Sequence, residues 1–328
     1  MGGLRYLSAS DIAALEFSDA ELLSAVEQAF IAHGRGEALI EPRVPLTRGA
    51  DGFNLQRGTI LSAATAGLKV VGNFPDNAAS GLAPEPSLLA LFSTTTGLPV
   101  GVVEMSSLGA MRTGATSALA ARHLARRHAR VLGHLGSGSI AYWNIRMLDG
   151  LFHFDEIRLH SKHPERREAL AEKLRRDLGR DVRVTENWRA TVEGADIVVE
   201  ATRLSHPEPL LKTQWVKRGT FLMPFGSNSA LELSIVDVAE KVVVDHWARA
   251  VVGPLGALRL HIDSGRLTRD TLHAELGEVV AGLKPGRERD DEVIVFWQRG
   301  VAVADIAIAR ALIEKAERLG IGHALPFG

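Results

Sequence analysis

The chain contains no cysteine. That excludes disulfides, thiolate metal sites and cysteine nucleophiles, and it fits a reducing compartment. Long apolar runs are missing too. None reaches the roughly 18–20 residues that span a bilayer, and Met1 to Asp11 holds no apolar stretch of the length a secretory signal needs. A soluble cytoplasmic protein is the expectation. Neither sign of charge is in excess, with Lys+Arg at 38 against Asp+Glu at 39, so neither nucleic acid nor an acidic membrane is expected as a partner. Metal-ligand spacing is absent as well. The 12 histidines include no H-x-x-x-H pair, and no metal is expected.

What remains is an ordinary globular mix, 46% hydrophobic and 23% charged, over 328 residues, long enough for two domains. Ser18-Asp19-Ala20-Glu21 is a capping box. Leu22, Leu23, Val26, Ala29 and Phe30 then recur at helical spacing, with a stop at Gly34–Gly36. From Arg43 to Val103 short apolar segments alternate with Gly, Pro and Asn turns, a strand pattern, and an alanine-rich helix is predicted from Gly114 to Arg127.

The pattern changes near residue 130. Strands are predicted at Arg130–Leu135, Glu156–His160, Val182–Thr185, Asp196–Glu200, Thr220–Met223, Val242–Asp245 and Val293–Phe296. Helices are predicted at Ile140–Leu148, Pro164–Leu178 and Trp188–Val192, and a last one at Val303–Leu319. Such alternation implies an α/β fold, a Rossmann-type doubly wound parallel sheet, beside a second, mainly antiparallel α+β domain. The expected division is 1–125, completed by 310–328, for substrate binding and dimerisation, and 126–309 for a dinucleotide.

Gly136-Ser137-Gly138-Ser139-Ile140-Ala141 carries the chemistry of the second domain. A G-x-G-x-x-[GA] pattern says little alone, but this one ends an apolar strand, opens a helix and precedes a second strand end by about 20 residues. Gly136 allows the tight turn, Gly138 lets backbone approach a pyrophosphate, and Ala141 permits close helix–strand packing; N–H groups at the helix start then face the phosphate charge. The second strand ends Leu159-His160-Ser161-Lys162-His163, with no acid to accept from ribose hydroxyls. Ser161 and Lys162 suit a 2′-phosphate instead, so NADP is favoured and NAD remains possible.

Several short motifs, in order and spacing, resemble the ornithine cyclodeaminase/mu-crystallin family along nearly the whole chain. They are Gly67-Leu68-Lys69 with Pro75-Asp76-Asn77, Met111-Arg112-Thr113-Gly114-Ala115-Thr116-Ser117-Ala118, and Asp196-Ile197-Val198-Val199-Glu200-Ala201-Thr202 with Pro209. Near the C-terminus stand Glu275-Leu276-Gly277-Glu278 and Gly300-Val301-Ala302-Val303-Ala304-Asp305. The resemblance implies a homodimer built through the N-terminal domain, an active site between domains and chemistry at an amino-acid alpha carbon. It does not choose the substrate, since members include cyclodeaminases, amino-acid dehydrogenases, ketimine reductases and a hormone-binding crystallin.

Carried over residue by residue, the resemblance places Arg43, Lys69 and Arg112 on the substrate carboxylate and Thr113 on a cofactor phosphate. Guanidinium groups grip a carboxylate bidentately, and an ammonium adds charge neutralisation. A partly buried Lys69 beside another cation would also have a lowered pKa and exchange a proton with the substrate nitrogen. Thr202 falls where nicotinamide-side contacts are expected. Asp305 either orients Lys69 or the nicotinamide end, or caps the last helix.

Three segments leave the family pattern. Gly226-Ser227-Asn228 puts an amide where cyclodeaminases carry an acid, which weakens ring closure with loss of ammonia and leaves hydride transfer intact; Asn228 then serves to orient the substrate nitrogen. Asp245-His246-Trp247 with Gly253-Pro254-Leu255-Gly256-Ala257-Leu258 replaces an acidic pattern, and Gly58-Thr59-Ile60-Leu61 replaces a met-pro strand. The leading expectation is an NAD(P)H-dependent imine reductase or amino-acid dehydrogenase. A cyclodeaminase that recycles NAD and a cofactor-dependent ligand-binding protein are the alternatives.

Overall fold

The computed structural model describes residues 3–48, 51–253 and 255–327, so Met1 and Pro254 lie outside the described residues. The chain divides into two compact units, Met1–Arg112 with Gly300–Gly328, and Thr113–Arg299.

The first unit is built on one mixed sheet. Its strands are β1 (Gly3–Leu7), β2 (Ala38–Ile40), β3 (Val44–Arg48), β4 (Asp51–Ile60), β5 (Thr65–Asn73), β6 (Ser87–Ser93), β7 (Pro99–Glu104) and a C-terminal strand, His323–Pro326. The order is C-terminal strand–β1–β7–β6–β5–β4–β2, with β3 also on β4, and every pairing but β1 with β7 is antiparallel. Helix α1 (Ala9–Ala14) starts on a capping box at Ser8, and α2 (Asp19–Gly34) starts on the one expected at Ser18 and Glu21. The C-terminal helix, Ala302–Leu319, is apolar along one face and lies against the sheet. At Gly67 a Cβ would come within 2.6 Å of Ile306, so glycine there sets how closely helix and sheet approach.

The second unit is the doubly wound sheet. Its strands are β8 (Val131–Leu135), β9 (Glu156–His160), β10 (Val182–Val184), β11 (Ile197–Glu200), β12 (Phe221–Pro224), β13 (Lys241–Val244), β14 (Ala274–Glu275) and β15 (Ile294–Trp297). They run in the order β10-β9-β8-β11-β12-β15-β13-β14, parallel throughout. The central strands β11, β12, β13 and β15 are buried at every position, which is why they read as continuous apolar runs rather than alternating ones. Helix α3 (Leu108–Leu124) enters the unit; α4 (Ala141–Phe152), α5 (Pro164–Leu178) and α6 (Trp188–Val192) connect β8, β9, β10 and β11 in turn.

Two boundaries differ from expectation. The alanine-rich helix begins at Leu108, not Gly114, and the unit division falls after Arg112 within it. From Gly114 onward this helix packs on α4 so closely that a Cβ on Gly114 would sit 2.5 Å from the Trp143 carbonyl. At the other end the first unit resumes at Gly300 rather than at 310. The C-terminal helix is one continuous element whose first turns already touch the first sheet through Val303 and Ile306, so it cannot be divided.

Candidate active site

In the first unit a charged cluster is buried under the C-terminal helix. Lys69 stands mid-strand in β5, on the helix-covered face that includes Gly67, and is only 4% exposed. Its Nζ donates to Asp305 Oδ1 at 2.9 Å, and Arg112 Nε lies 3.5 Å from the same oxygen. Asp305 sits in the first turn of the C-terminal helix, fully buried, and its other oxygen, Oδ2, is buried without a hydrogen-bond partner. Asp305 thus pairs with Lys69, while the N-cap of its helix is Val301 with no side-chain cap. Arg43, half-buried just before β3, acts on both Lys69 and Asp305 through its charge.

Three cationic side chains thus act on one carboxylate, a formal local charge of +2. Burial lowers the Lys69 pKa; Asp305 opposes that, and Arg112 and Arg43 add to it. Burial alone would raise the Asp305 pKa, but Lys69 and Arg112 outweigh it and hold the carboxyl below its usual range. The arrangement has two chemical capacities. It can accept an anion, and it offers an ammonium that gives up its proton more readily than a surface lysine.

In the second unit the glycine turn follows β8. Gly136 has φ +103°, and a Cβ there would meet the Ala201 carbonyl at 2.5 Å. Gly138 is exposed, and a Cβ there meets no protein atom within 4 Å. Ser139 is exposed, Ile140 is the N-cap of α4 with no side-chain cap, and Ala141 is fully buried against the strand layer. The Ala141 N–H donates to the Gly138 carbonyl at 3.0 Å, and no side chain caps the N–H groups that follow it, which suits a phosphate site.

Beneath the turn, His134 is fully buried in β8 and donates from Nδ1 to the Gly136 carbonyl at 2.9 Å. Burial holds its pKa down to about 4. The unfolded chain takes up a proton here as pH falls through about 6.5, whereas the folded protein does not until about 4. Stability from this residue is thus complete above pH ~6.5 and declines by about 3 kcal/mol on descent to about 4. Urea unfolding at neutral and acid pH should show that decline in wild type and a smaller one in His134→Asn, whose amide can still donate to Gly136.

The ribose end of the turn is partly as expected. The Ser161 hydroxyl is 2.8 Å from that of Ser137, which ties the end of β9 to the turn. Lys162 is exposed and paired at 3.0 Å with Glu208, which is half-buried. Thr113 lies inside α3, well past its start at Leu108, and its carbonyl accepts from Ser117. Thr202 is engaged by a neighbour that composition did not single out. Glu200, fully buried at the end of β11, accepts from the Thr202 N–H at 2.8 Å, the Thr202 hydroxyl and the Gly226 N–H at 3.3 Å. It joins the loop after β11 to the loop after β12, and burial raises its pKa. Asn228, in the second of those loops, donates to the Leu204 carbonyl at 2.7 Å, so it too cross-links them. The sequence signal for Glu200 was an acid closing an apolar strand within the Asp196–Thr202 motif.

His246 is the N-cap of a short helix, Trp247–Ala250, and Trp247 packs at the edge of the second unit's core. In the first unit Gln56 pairs across β4 and β5 with Lys69, is 6% exposed, and has its Oε1 buried without a partner. Nothing in the local pattern of β4 marked it. No helix among the described residues is long and apolar enough to cross a membrane.

Comparison with known proteins gives this geometry a context. The chain is 30% identical over 311 residues to an alanine dehydrogenase of Archaeoglobus fulgidus, covering 94% of each chain. It superposes on a Thermococcus litoralis Delta(1)-pyrroline-2-carboxylate reductase in complex with NADH and L-proline with a TM-score of 0.89 and 28% identity, over 98% of this chain and 99% of that one. An archaeal alanine dehydrogenase dimer with bound NAD gives a TM-score of 0.90 and 29% identity, over 99% and 100%. The model of the ornithine cyclodeaminase/mu-crystallin family matches residues 5–319, and the chain belongs to that family.

Proposed function

We propose that this protein is an NAD(P)H-dependent oxidoreductase that exchanges hydride at the carbon–nitrogen bond of an alpha-imino or alpha-amino acid. The observation that carries the reading is the +2 cluster of half-buried Arg43 with buried Lys69 and Arg112 around Asp305. Such a cluster calls for an anion, and the substrate carboxylate supplies one. The lowered pKa of Lys69 suits proton delivery to the substrate nitrogen, and Asp305 Oδ2 is a spare acceptor for an N–H. The nicotinamide dinucleotide supplies the hydride when bound. Ser137, Gly138, Ser139 and the start of α4 hold its pyrophosphate, Thr113 the adjacent phosphate, and the loops joined by Glu200, Thr202 and Asn228 border its nicotinamide half.

NADP is the preferred form in this reading, with Ser161 and Lys162 on the 2′-phosphate and Glu208 giving up Lys162 to it. The face of the first sheet away from the C-terminal helix supports a homodimer: Phe53, Leu68 and Leu88 share it and are 43%, 39% and 43% exposed. A monomeric mass in solution would remove that part.

Asn228 in place of an acid disfavours cyclodeamination. Purified protein incubated with NADPH or NADH and a panel of cyclic 2-imino acids, and of 2-oxo acids with amines, distinguishes the two. Stoichiometric loss of reduced nicotinamide absorbance is expected; ornithine consumption without net cofactor change would overturn the reading. Lys162→Ala should lower the NADPH-over-NADH preference about tenfold, the worth of one charge-assisted contact. An unchanged ratio would leave NADP without its lysine.

A further inference from the structure

Gln298 is the first residue past β15 and is 4% exposed, and both ends of its side-chain amide, Oε1 and Nε2, are buried without a hydrogen-bond partner. Burying a polar group without a partner is costly, so a buried amide that bonds to nothing requires a cause. Poor local order is not that cause. The next residue, Arg299, donates its N–H to Asp245 Oδ2 at 2.7 Å, and on the other side the Asp245 N–H donates to the Trp297 carbonyl at 3.2 Å. The backbone around Gln298 is pinned from both directions while its side chain is left unsatisfied.

Its place in the sheet supplies the cause. β15 lies between β12 and β13, with Val295 level with Leu222 and Trp297 level with Val244. Continuing both registers sets Gln298 level with Phe225 and Asp245, where two loops leave the carboxyl ends of their strands. A doubly wound sheet binds a dinucleotide across those ends, one mononucleotide on each side of the switch point. Here the switch lies at β8, where the glycine turn begins: β9 and β10 stand on one side, β11, β12 and β15 on the other. The lack of an acid at Ser161 and Lys162 concerns the adenosine side. Gln298 belongs to the nicotinamide side.

We propose that Gln298 recognises the carboxamide of the nicotinamide ring. An amide complements an amide: Nε2 donates to the carboxamide oxygen while Oε1 accepts from the carboxamide N–H, so one ligand group satisfies both unmet ends. The pairing fixes the rotation of the ring and hence which face of it meets the substrate. It rests on the dinucleotide reading above and adds the group that selects the ring. Glu200 does not compete for this role, because its carboxylate is already engaged by Thr202 and Gly226.

The test compares wild type, Gln298→Met and Gln298→Glu by calorimetric titration with NADP, its 3-acetylpyridine analogue, and 2′-phospho-ADP-ribose, which lacks the ring. Wild type should bind NADP about tenfold more tightly than the acetylpyridine analogue, the worth of the lost N–H. Gln298→Met should weaken NADP by about 10- to 100-fold, bind both dinucleotides alike, and keep wild-type affinity for 2′-phospho-ADP-ribose. Gln298→Glu, which retains an acceptor and lacks the donor, should weaken NADP as well. The thermal midpoint of ligand-free Gln298→Met should equal or exceed that of wild type, because the substitution removes an unmet amide; only the midpoint rise on adding NADP should shrink.

Retained discrimination in Gln298→Met would overturn the proposal. So would loss of ligand-free stability together with 2′-phospho-ADP-ribose affinity, the mark of a packing residue. Wild type that binds dinucleotide without distinguishing the analogue overturns the proposal alone. Wild type that binds neither NADH nor NADPH overturns the dinucleotide reading with it.

Discussion

Asp305→Asn should leave a protein that binds substrate and barely turns it over. The carboxylate is the single negative charge in a group with Lys69, Arg112 and Arg43. Without it the local charge rises from +2 to +3, so an anionic substrate is held at least as well and KM should stay level or fall. The rate should fall about 10²- to 10⁴-fold, the range typical of a lost acid–base function. Two effects combine in that loss. Lys69 has no oriented acceptor, and its pKa drops further because Asp305 is what opposes burial and the two guanidinium groups. Delivery of a proton to the product nitrogen requires Lys69 protonated, so the basic limb of the pH–rate profile should move to lower pH in Asp305→Asn. It should vanish in Lys69→Met, and a basic limb that persists there would assign the proton to another group. Breaking a buried ion pair on one side also costs about 3–5 kcal/mol, so denaturant unfolding of Asp305→Asn should be read beside the kinetics.

Paired glycine substitutions should separate folding from binding at the phosphate turn. Gly136→Ala places a Cβ 2.5 Å from the Ala201 carbonyl at φ +103°, where an L-residue is strained. Both stability and dinucleotide affinity should suffer, the latter by roughly 100-fold or more as the turn shifts away from the start of α4. Gly138→Ala meets no protein atom. Its ligand-free thermal midpoint should match wild type within a degree or two, since it creates no clash, while dinucleotide affinity falls by a similar factor. Equal affinity of Gly138→Ala and wild type would mean that the backbone there does not approach the pyrophosphate. Circular dichroism and calorimetric titration of both variants decide the matter.

The second unit was largely legible because its signals are local. Strand Glu156–His160 and helices Pro164–Leu178 and Trp188–Val192 have the predicted limits, and the other predicted elements from 130 onward shift by a few residues; β14, the short helices Trp247–Ala250, Arg259–Asp263 and Leu276–Val280, and the strand His323–Pro326 were not predicted. Buried parallel strands read as apolar runs, and the glycine turn announces itself by its spacing. Division into units was less legible, because the C-terminal helix returns to the first sheet through contacts that only the fold creates. The Lys69–Asp305 pair spans 236 positions, and only the family motifs had marked both residues. Lys162 read as a strand-end cation suited to a 2′-phosphate, but Glu208, 46 residues on, meets it. Gln56 and Gln298 were invisible for a different reason. A polar residue inside or at the end of a strand has no period of its own, and its significance is whether a partner meets it in three dimensions.

Transfer of label tests the account at its centre. Protein supplied with NADPH deuterated at C4 on the transferring face and a cyclic 2-imino acid should yield the cyclic amino acid with one deuterium at the alpha carbon, one cofactor oxidised for each product, by mass spectrometry. In Lys69→Met both should fall together. An amino-acid product without deuterium, or deuterium elsewhere than the alpha carbon, would contradict hydride delivery to a carbon–nitrogen bond beside a carboxylate.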